Sequence, residues 1–267
     1  MKILICTKLD LTSCVATNEL LSQLRDDGHE WWVVLSDKVN EGERGVPSQF
    51  DLAFYERDNF LLWSESRRDS QGQYLPFHLL YTRYDTHVET LKDVNTDTRF
   101  LHRLAKWGPD VILSIRYNYI FRQPLIDLAK KTVLNLHPGK LPEYAGFFAP
   151  FWSIKQGESF LTCTLHSIEN EQLDSGDVVG EARMEVEPDR SVMWHFTELY
   201  RQGIPVLAGV LRNLHSHINV VAKVQNLDQR QLFSHPAVSD MKAFERGGGR
   251  LVLHEDYLEW CRRFFEP

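Results

Sequence analysis

The fold class is indicated by residues 2–36, which read KILICTKLDLTSCVATNELLSQLRDDGHEWWVVLS. The continuous apolar run at residues 2–7 is typical of a strand that is buried on both faces of a parallel sheet. Apolar residues then recur at helical spacing between Ser13 and Arg25 and stop at an Asp-Asp-Gly turn. A second apolar strand is predicted at residues 30–36. Strand, helix and strand in this order predict a right-handed crossover unit, and therefore a doubly wound α/β fold.

Downstream, the apolar pattern again alternates between helical and strand spacing. It predicts helices at residues 97–106, 124–130, 150–156, 191–202 and 206–214, and strands at residues 110–115, 132–136, 161–166 and 178–186. Gly203 and Pro205 are expected to separate the last two helices. We therefore divide the chain into a domain of residues 1–190 and a C-terminal region of residues 191–267.

Two stretches of the chain are less regular. Residues 37–95 contain many aromatic side chains and several glycines, which is typical either of a functional excursion over the sheet or of ordinary irregular packing. Near the C-terminus, a Gly-Gly-Gly turn at residues 247–249 precedes the strand-like run RLVLHE and an aromatic helix. We expect these last residues to form a small β/α extension.

Composition and charge disfavour several classes of protein. The 267 residues include 30 Lys plus Arg and 37 Asp plus Glu, which gives a net charge of −7. An acidic surface without a basic cluster disfavours a nucleic-acid partner. The four cysteines are far apart, the charged run KLD follows MKILICT directly, and no apolar run approaches the length of a membrane span. We expect a cytoplasmic protein that binds neither nucleic acid nor membrane.

The densest group of reactive side chains is Asn135-Leu136-His137-Pro138-Gly139, at the carboxyl end of a predicted buried strand. Ligands bind at that edge of an open parallel sheet. Asn135 and His137 are two residues apart, so both side chains point the same way from an extended strand. An amide donor and an imidazole suit acyl transfer, in which an oxyanion is stabilised and a proton is removed. Asp174, in a predicted turn, would supply the carboxylate that orients the histidine. Taken alone, each of these residues is also an ordinary turn or capping residue.

In combination, these residues resemble a known family. The run LNLHPGKLPEYAG at residues 134–146, followed by LDSGDVV at residues 173–179, is similar to the signature of the formyltransferases that use 10-formyltetrahydrofolate. That family includes glycinamide ribonucleotide transformylase, methionyl-tRNA formyltransferase and the stand-alone sugar N-formyltransferases. The resemblance covers roughly residues 1–190. It implies a Rossmann-like, mostly parallel sheet and a formyl transfer to an amine, with no metal.

The resemblance also implies a role for each site residue. Asn135 would donate a hydrogen bond to the formyl oxygen. His137 would accept the proton of the attacking amine or act as an imidazolium, and Asp174 would orient it. The pterin of the folate would lie between two backbone segments, which comprise Tyr119, Ile120 and Phe121 on one side and Glu171, Gln172 and Leu173 on the other.

Two differences between this sequence and known members of the family concern the identity of the amine acceptor. The loop after the first strand reads TKLDLTS, without the glycines that hold the phosphate in glycinamide ribonucleotide transformylase. The C-terminal region is short and acidic, which disfavours tRNA. These departures leave a small-molecule amine. A nucleotide-linked amino sugar is the commonest acceptor among the short stand-alone members of the family, so the resemblance implies an acceptor of that kind. The alternatives are a hydroxyornithine-type amine, glycinamide ribonucleotide, or hydrolysis of the formylated folate.

Two rival functions and one question of assembly stay open. A metal-dependent hydrolase would use His137, His166, Asp174 and Asp177, although their spacing matches no recognised ligand motif. A non-catalytic folate-binding protein is the second rival. The stand-alone sugar enzymes are often homodimers, and the aromatic side chains of the tail suit either a dimer interface or docking on their own domain; they are Tyr257, Trp260, Phe264 and Phe265.

Overall fold

The computed structural model describes residues 1–38, 47–66 and 72–264. Its strands are β1 Lys2–Lys8, β2 Glu30–Ser36, β3 Thr86–Leu91, β4 Val111–Ile115, β5 Thr132–His137, β6 Ala145–Gly146, β7 Phe160–Ser167, β8 Val178–Glu185 and β9 Leu232–Phe233. Its α-helices are α1 Leu11–Gln23, α2 Pro47–Ala53, α3 Phe60–Glu65, α4 Thr98–Trp107, α5 Gln123–Ile126, α6 Ala149–Lys155, α7 Val192–His215, α8 Val238–Arg246 and α9 His254–Arg262. A π-helix at Phe54–Asn59 joins α2 to α3, and 3₁₀ turns lie at Phe77–Thr82 and Leu227–Gln229.

Seven strands of the described chain form one sheet, in the order β3-β2-β1-β4-β5-β7-β8. The first five strands are parallel, and β7 and β8 are antiparallel to their neighbours. From β1 the chain moves outward through β2 and β3, and then returns to the other side of β1 as β4. The order of strands therefore reverses between β1 and β4, where open α/β sheets bind ligands. The predicted doubly wound, mostly parallel sheet is confirmed.

Helix α7 differs from the sequence prediction, because it is one continuous helix with Pro205 inside it. Proline removes one intrahelical hydrogen bond, which by itself favours a break. Pro205 lies on the exposed side of α7, whereas the opposite side is buried against α1 and β7. Burial of that face keeps the helix continuous, and the prediction of two helices was wrong.

The predicted strand in RLVLHE is also absent from the described chain. The carbonyls of Arg250 and Leu251 instead accept hydrogen bonds from the backbone N–H groups of Val192 and Met193, at 2.9 and 3.0 Å. Those N–H groups belong to the first turn of α7 and have no partner within the helix. The segment thus caps α7, and α9 begins at His254.

The aromatic tail packs on its own domain. Tyr257, Trp260 and Phe264 are buried, and the ring of Phe264 contacts those of Phe60 and Tyr74. Of the two interpretations for this tail, docking on the chain itself is the one that the structure shows for these three residues. The fourth aromatic residue, Phe265, lies outside the described residues.

Candidate active site

Strand β5 places Asn135 and His137 at the carboxyl edge of the sheet, and the loop between β7 and β8 brings Asp174 to them. The Asn135 Nδ2 lies 3.4 Å from the Asp174 Oδ1, and the His137 Nδ1 lies 3.6 Å from the Asp174 Oδ2. The structure thus brings the three predicted residues together. His137 and Asp174 are buried, with 4% and 5% of their surface exposed.

The hydrogen bonds of His137 define its protonation pattern. Its Nε2 lies 2.7 Å from the carbonyl oxygen of Tyr144, which can only accept, so Nε2–H is the donor. In the neutral ring, Nδ1 is then the unprotonated nitrogen, and it faces Asp174. Burial lowers the pKa of His137 from its usual value, and the Asp174 carboxylate opposes this by raising it. His137 therefore has one nitrogen open to a proton and a carboxylate that stabilises the resulting cation.

Asp174 stays ionised in this buried position. Burial by itself raises the pKa of its carboxyl, but the neighbouring His137 and His166 and the N–H of Gly146 hold that pKa well below its usual range. The Gly146 N–H donates to the Asp174 Oδ2 at 2.8 Å. Since Gly146 ends the loop that begins at His137, the loop and the carboxylate position each other.

His166 of β7 is a further member of the site, which the sequence identified only as a candidate metal ligand. Its Nδ1–H donates to the Ser167 carbonyl at 2.8 Å, so in the neutral ring its Nε2 accepts from the Asn135 Nδ2 at 3.0 Å. The pairing of Asn135 with His166 across β5 and β7 places the two side chains on the same face. No residue pattern along the chain signals this contact, because the partner comes from an antiparallel strand.

A cavity of about 190 Å³ opens beside these residues. Five of the six predicted pterin residues line it, namely Tyr119, Ile120, Phe121, Gln172 and Leu173. The backbone of residues 117–122 forms neither helix nor strand, which leaves main-chain groups for the edge of a flat ligand. The sixth, Glu171, is not among the described residues that line the cavity. Its exposed carboxylate instead accepts hydrogen bonds from Arg122 and from the N–H of Gln123.

The other end of the cavity lies at the switch point between β1 and β4 and is charged. Arg116 donates from Nε to the Asp10 Oδ2 at 2.8 Å and from Nη2 to the Glu56 Oε2 at 2.5 Å. Lys8 lies 3.8 Å from the same Asp10 oxygen. Asp10 also caps α1 by accepting from the Ser13 N–H at 2.8 Å. The charges of the two cations, Lys8 and Arg116, are therefore balanced by those of the two carboxylates, Asp10 and Glu56. The N-terminal end of α1, which is the positive end of the helix dipole, is already occupied by the side chain of Asp10.

Glu56 shows what the irregular stretch at residues 37–95 contributes. It lies on the π-helix, and with Leu52 and Ala53 it lines the cavity. Aromatic residues of the same stretch, such as Phe60 and Tyr74, are buried in the main core. Within the described part of this stretch, some residues thus line the cavity and others pack in the core.

Two absences concern residues 1–38, 47–66 and 72–264, the part of the chain that the structure describes. Within them, no group of three or more His, Cys, Asp and Glu side chains is arranged to bind a metal ion. Over the same residues, no helix is both long enough and apolar enough to span a membrane.

Comparison with known proteins confirms the resemblance. Residues 74–202 match the family model described as formyl transferase. This part of the chain is a formyl transferase domain. The formyl transferase domain contains β5, the loop of Asp174 and the first part of α7, whereas β1, α1 and β2 precede the matched range.

The chain is also similar in sequence to longer proteins. A methionyl-tRNA formyltransferase from Acidobacterium capsulatum is 30% identical over 121 residues, which cover 45% of this chain and 39% of that protein. A second methionyl-tRNA formyltransferase, from Desulfotalea psychrophila, is 31% identical, and 37% of it is covered. The chain thus spans less than two fifths of the length of these curated relatives.

Solved structures share the fold. One is an N-formyltransferase from Helicobacter canadensis in complex with folinic acid and dTDP-3-aminofucose, with a TM-score of 0.54, 14% identity, and coverage of 88% of this chain and 71% of that chain. Another is glycinamide ribonucleotide transformylase 1 from Symbiobacterium toebii, with a TM-score of 0.58, 15% identity, and coverage of 85% and 94%. At these identities the likeness concerns the fold, and it agrees with the predicted formyltransferase fold.

Proposed function

We propose that the chain transfers the formyl group of 10-formyltetrahydrofolate to the amine of a small molecule. The observation that carries this proposal is the convergence of Asn135, His137 and Asp174 at a cavity within a formyl transferase domain. The residues around the cavity suit the folate, because Ile120, Phe121 and other apolar side chains lie beside a backbone segment that forms no regular structure.

The chemistry follows from the hydrogen-bonding groups of the site. Bound 10-formyltetrahydrofolate supplies an electrophilic formyl carbon, to which the acceptor amine adds before the bond to the folate nitrogen breaks. Asn135 donates from Nδ2 to the formyl oxygen as negative charge develops there. The Nδ2 of Asn135 has two N–H bonds. One is used in the shorter contact, of 3.0 Å, with His166, so the one that faces the Asp174 Oδ1, with Nδ2 at 3.4 Å, is available to the formyl oxygen. His137 accepts the amine proton at Nδ1 and later returns a proton to the folate nitrogen that leaves.

Asp174 stabilises the imidazolium that forms between these two proton transfers. Its carboxylate is ionised, buried and 3.6 Å from the nitrogen that receives the proton. A charge in a buried site acts more strongly on its neighbour than one in water does. The proposed function therefore needs no metal and no further cofactor.

The charged end of the cavity supports an acceptor whose reacting part is a neutral, polar group, and we propose a nucleotide-linked amino sugar. A phosphate placed at the start of α1 would meet the buried carboxylate of Asp10. Lys8 and Arg116 are balanced by Asp10 and Glu56, so this end offers hydrogen bonds without net positive charge. The Helicobacter canadensis structure, which holds folinic acid and an amino sugar linked to dTDP, supports the same choice.

The test is a formylation assay. The protein is incubated with 10-formyltetrahydrofolate and, separately, with nucleotide-linked amino sugars, hydroxyornithine, glycinamide ribonucleotide and methionyl-tRNA. Mass spectrometry is expected to find a sugar product that is heavier by one formyl group, and an Asn135→Ala variant is expected to form it far more slowly. Formylation of glycinamide ribonucleotide or of methionyl-tRNA instead would overturn the choice of acceptor. Release of formate without any formylated amine would show that the protein hydrolyses 10-formyltetrahydrofolate instead of transferring its formyl group.

We also propose that the protein works in the cytoplasm. The four cysteines, Cys6, Cys14, Cys163 and Cys261, are all buried free thiols, which suits a reducing compartment. Fractionation of cells that produce the tagged protein tests this directly. Sedimentation of the purified protein tests whether it forms a homodimer, as the stand-alone sugar enzymes often do.

A further inference from the structure

A segment from the C-terminal region contacts both loops of the candidate site. We call residues 223–235 the brace. At its start, Lys223 pairs with Val178 at the beginning of β8 through hydrogen bonds of 2.7 and 2.9 Å. At its end, β9 pairs with β6, directly after the loop that starts at His137. The brace lies outside the residues that match the formyl transferase family.

Gln225 of the brace binds the turn that carries Asp174. Its Nε2 donates to the carbonyl oxygen of Asp174 at 3.1 Å and to that of Gly176 at 2.5 Å. Both partners are carbonyl oxygens, which can only accept, so the Nε2 end of the Gln225 amide, and not its Oε1, must face the turn. Arg230 of the brace donates in the same way to the carbonyl of Leu173. Three carbonyl groups of one turn are therefore bound by two side chains of the brace.

The turn needs such support because of its backbone geometry. Asp174 has a φ of +49°, in the left-handed region that non-glycine residues rarely adopt. Gly176 is so close to β7 that an added Cβ would overlap the carbonyl group of Ser167. Residues in such conformations persist where surrounding contacts hold them. Gln225 is buried, with 9% of its surface exposed, and its amide supplies two of these contacts.

The position of the Asp174 carboxylate depends on the same turn. Its oxygens lie 3.4 to 3.6 Å from Asn135, His137 and His166, and the contact with the Gly146 N–H is shorter, at 2.8 Å. Long contacts of this kind are lost when the backbone moves by about 1 Å, and misplacements of that size cost about a hundredfold in rate.

We propose that Gln225 is a positioning residue, which acts through the backbone of Asp174 to hold that carboxylate against His137. The proposal deepens the proposed function and rests on it for its activity readout. The charged and polar groups that face His137 are the Asp174 carboxylate, the His166 ring and the Tyr144 carbonyl. Of these three groups, the Asp174 carboxylate is the one whose negative charge raises the pKa of His137.

The test uses two variants and a matched control. Gln225→Ala removes the side chain, and Gln225→Met keeps its length but removes both donors. The control is Gln229→Ala, because Gln229 is an exposed glutamine of the same brace. Histidine-selective NMR titration is expected to show a lower pKa for His137 in both Gln225 variants, since Asp174 raises that pKa in the native arrangement. The control is expected to titrate like the unmodified protein.

The second readout is kinetic. Both Gln225 variants are expected to lower kcat by about ten- to a hundredfold, with a KM for 10-formyltetrahydrofolate within about threefold. The acid limb of the pH profile is expected to move to lower pH together with the NMR titration. An unchanged His137 titration in a folded Gln225→Met variant would overturn the proposal. If no acceptor is formylated by the unmodified protein, the proposed function fails, but the NMR titration still decides the role of Gln225.

Discussion

His137 is subject to two opposing influences, and their balance decides how it acts. Burial lowers its pKa, and the carboxylate of Asp174 raises it. Because burial has the larger effect, the pKa of His137 lies below its usual value, and in the neutral ring the proton is on Nε2 and Nδ1 is open. Of the two roles implied by the family resemblance, this arrangement favours the general base over a permanent imidazolium.

The balance predicts a specific effect of Asp174→Asn. The substitution removes the charge that raises the pKa of His137, so the ring is protonated only at lower pH. The acid limb of kcat/KM against pH should therefore shift to lower pH, while the maximum rate falls by about a hundredfold or more, because the imidazolium loses its partner. A pH series of single-turnover rates checks both effects. A shift of the acid limb to higher pH would contradict the role as a base.

Asn135→Ala should slow the chemical step by about two to three orders of magnitude, because it removes a donor to the developing oxyanion. The KM for the folate should change little. Thermal unfolding checks that the fold is intact, and Asn219→Ala, at an exposed residue, serves as the control. A loss of less than about tenfold would show that another group binds the formyl oxygen.

At the scale of elements, α7 links the sheet to the C-terminal region. It packs on α1, β7 and β8, and Gly203 allows its close approach to β5 and β7. A Cβ at Gly203 would lie 2.7 Å from the Cys163 Sγ and 3.1 Å from the Leu136 Cδ1. Leu136 lies between Asn135 and His137, so a shift at this contact reaches the site.

Two glycines of α7 should therefore respond in opposite ways to substitution by alanine. Gly203→Ala is expected to lower the free energy of unfolding by about 1 to 3 kcal/mol, because it overpacks the core. Gly209→Ala has no heavy atom within 4 Å of the new Cβ, and should raise that free energy by up to about 1 kcal/mol, through helix propensity. Urea unfolding of both variants is the measurement. Stabilisation by Gly203→Ala would contradict the close packing of α7 on the sheet.

At the scale of the whole molecule, the net charge bears on the acceptor. The chain carries a charge of −7, and curated relatives with 30 to 31% identity are methionyl-tRNA formyltransferases. Proteins that bind nucleic acid do so largely through Lys and Arg contacts to phosphates. An acidic chain lacks this contribution unless a local basic patch supplies it.

We therefore expect the 267-residue chain to show no measurable affinity for initiator tRNA at physiological salt, and to leave methionyl-tRNA unformylated. Filter binding at low and physiological salt, together with the mass-spectrometric assay, checks this. A methionyl-tRNA formyltransferase assayed alongside is the positive control. Tight binding with a steep salt dependence would show that a local basic patch outweighs the net negative charge of the chain.

Much of the fold could be predicted because apolar periodicity reports local structure directly. Strand β2 has the predicted limits, and β1 and β5 differ from their predictions by a residue. The prediction failed at Pro205 and at Arg250–Leu251, where tertiary contacts outweigh local preference: one face of α7 is buried, and two carbonyls cap that helix. That Asn135, His137 and Asp174 lie close together was predictable, since their spacing resembles a known signature.

The sequence by itself determined the α/β class, the strand that carries Asn135 and His137, and the likeness of residues 74–202 to formyl transferases, because these depend on residues close together in the chain or on a compact signature. Only the tertiary structure decided which distant residues complete the site. His166 arrives on an antiparallel strand, Glu56 on a π-helix, and Gln225 from the brace. The physical reason is that hydrogen bonds and ion pairs act over a few ångströms in space, and no periodicity along the chain records which segments come that close.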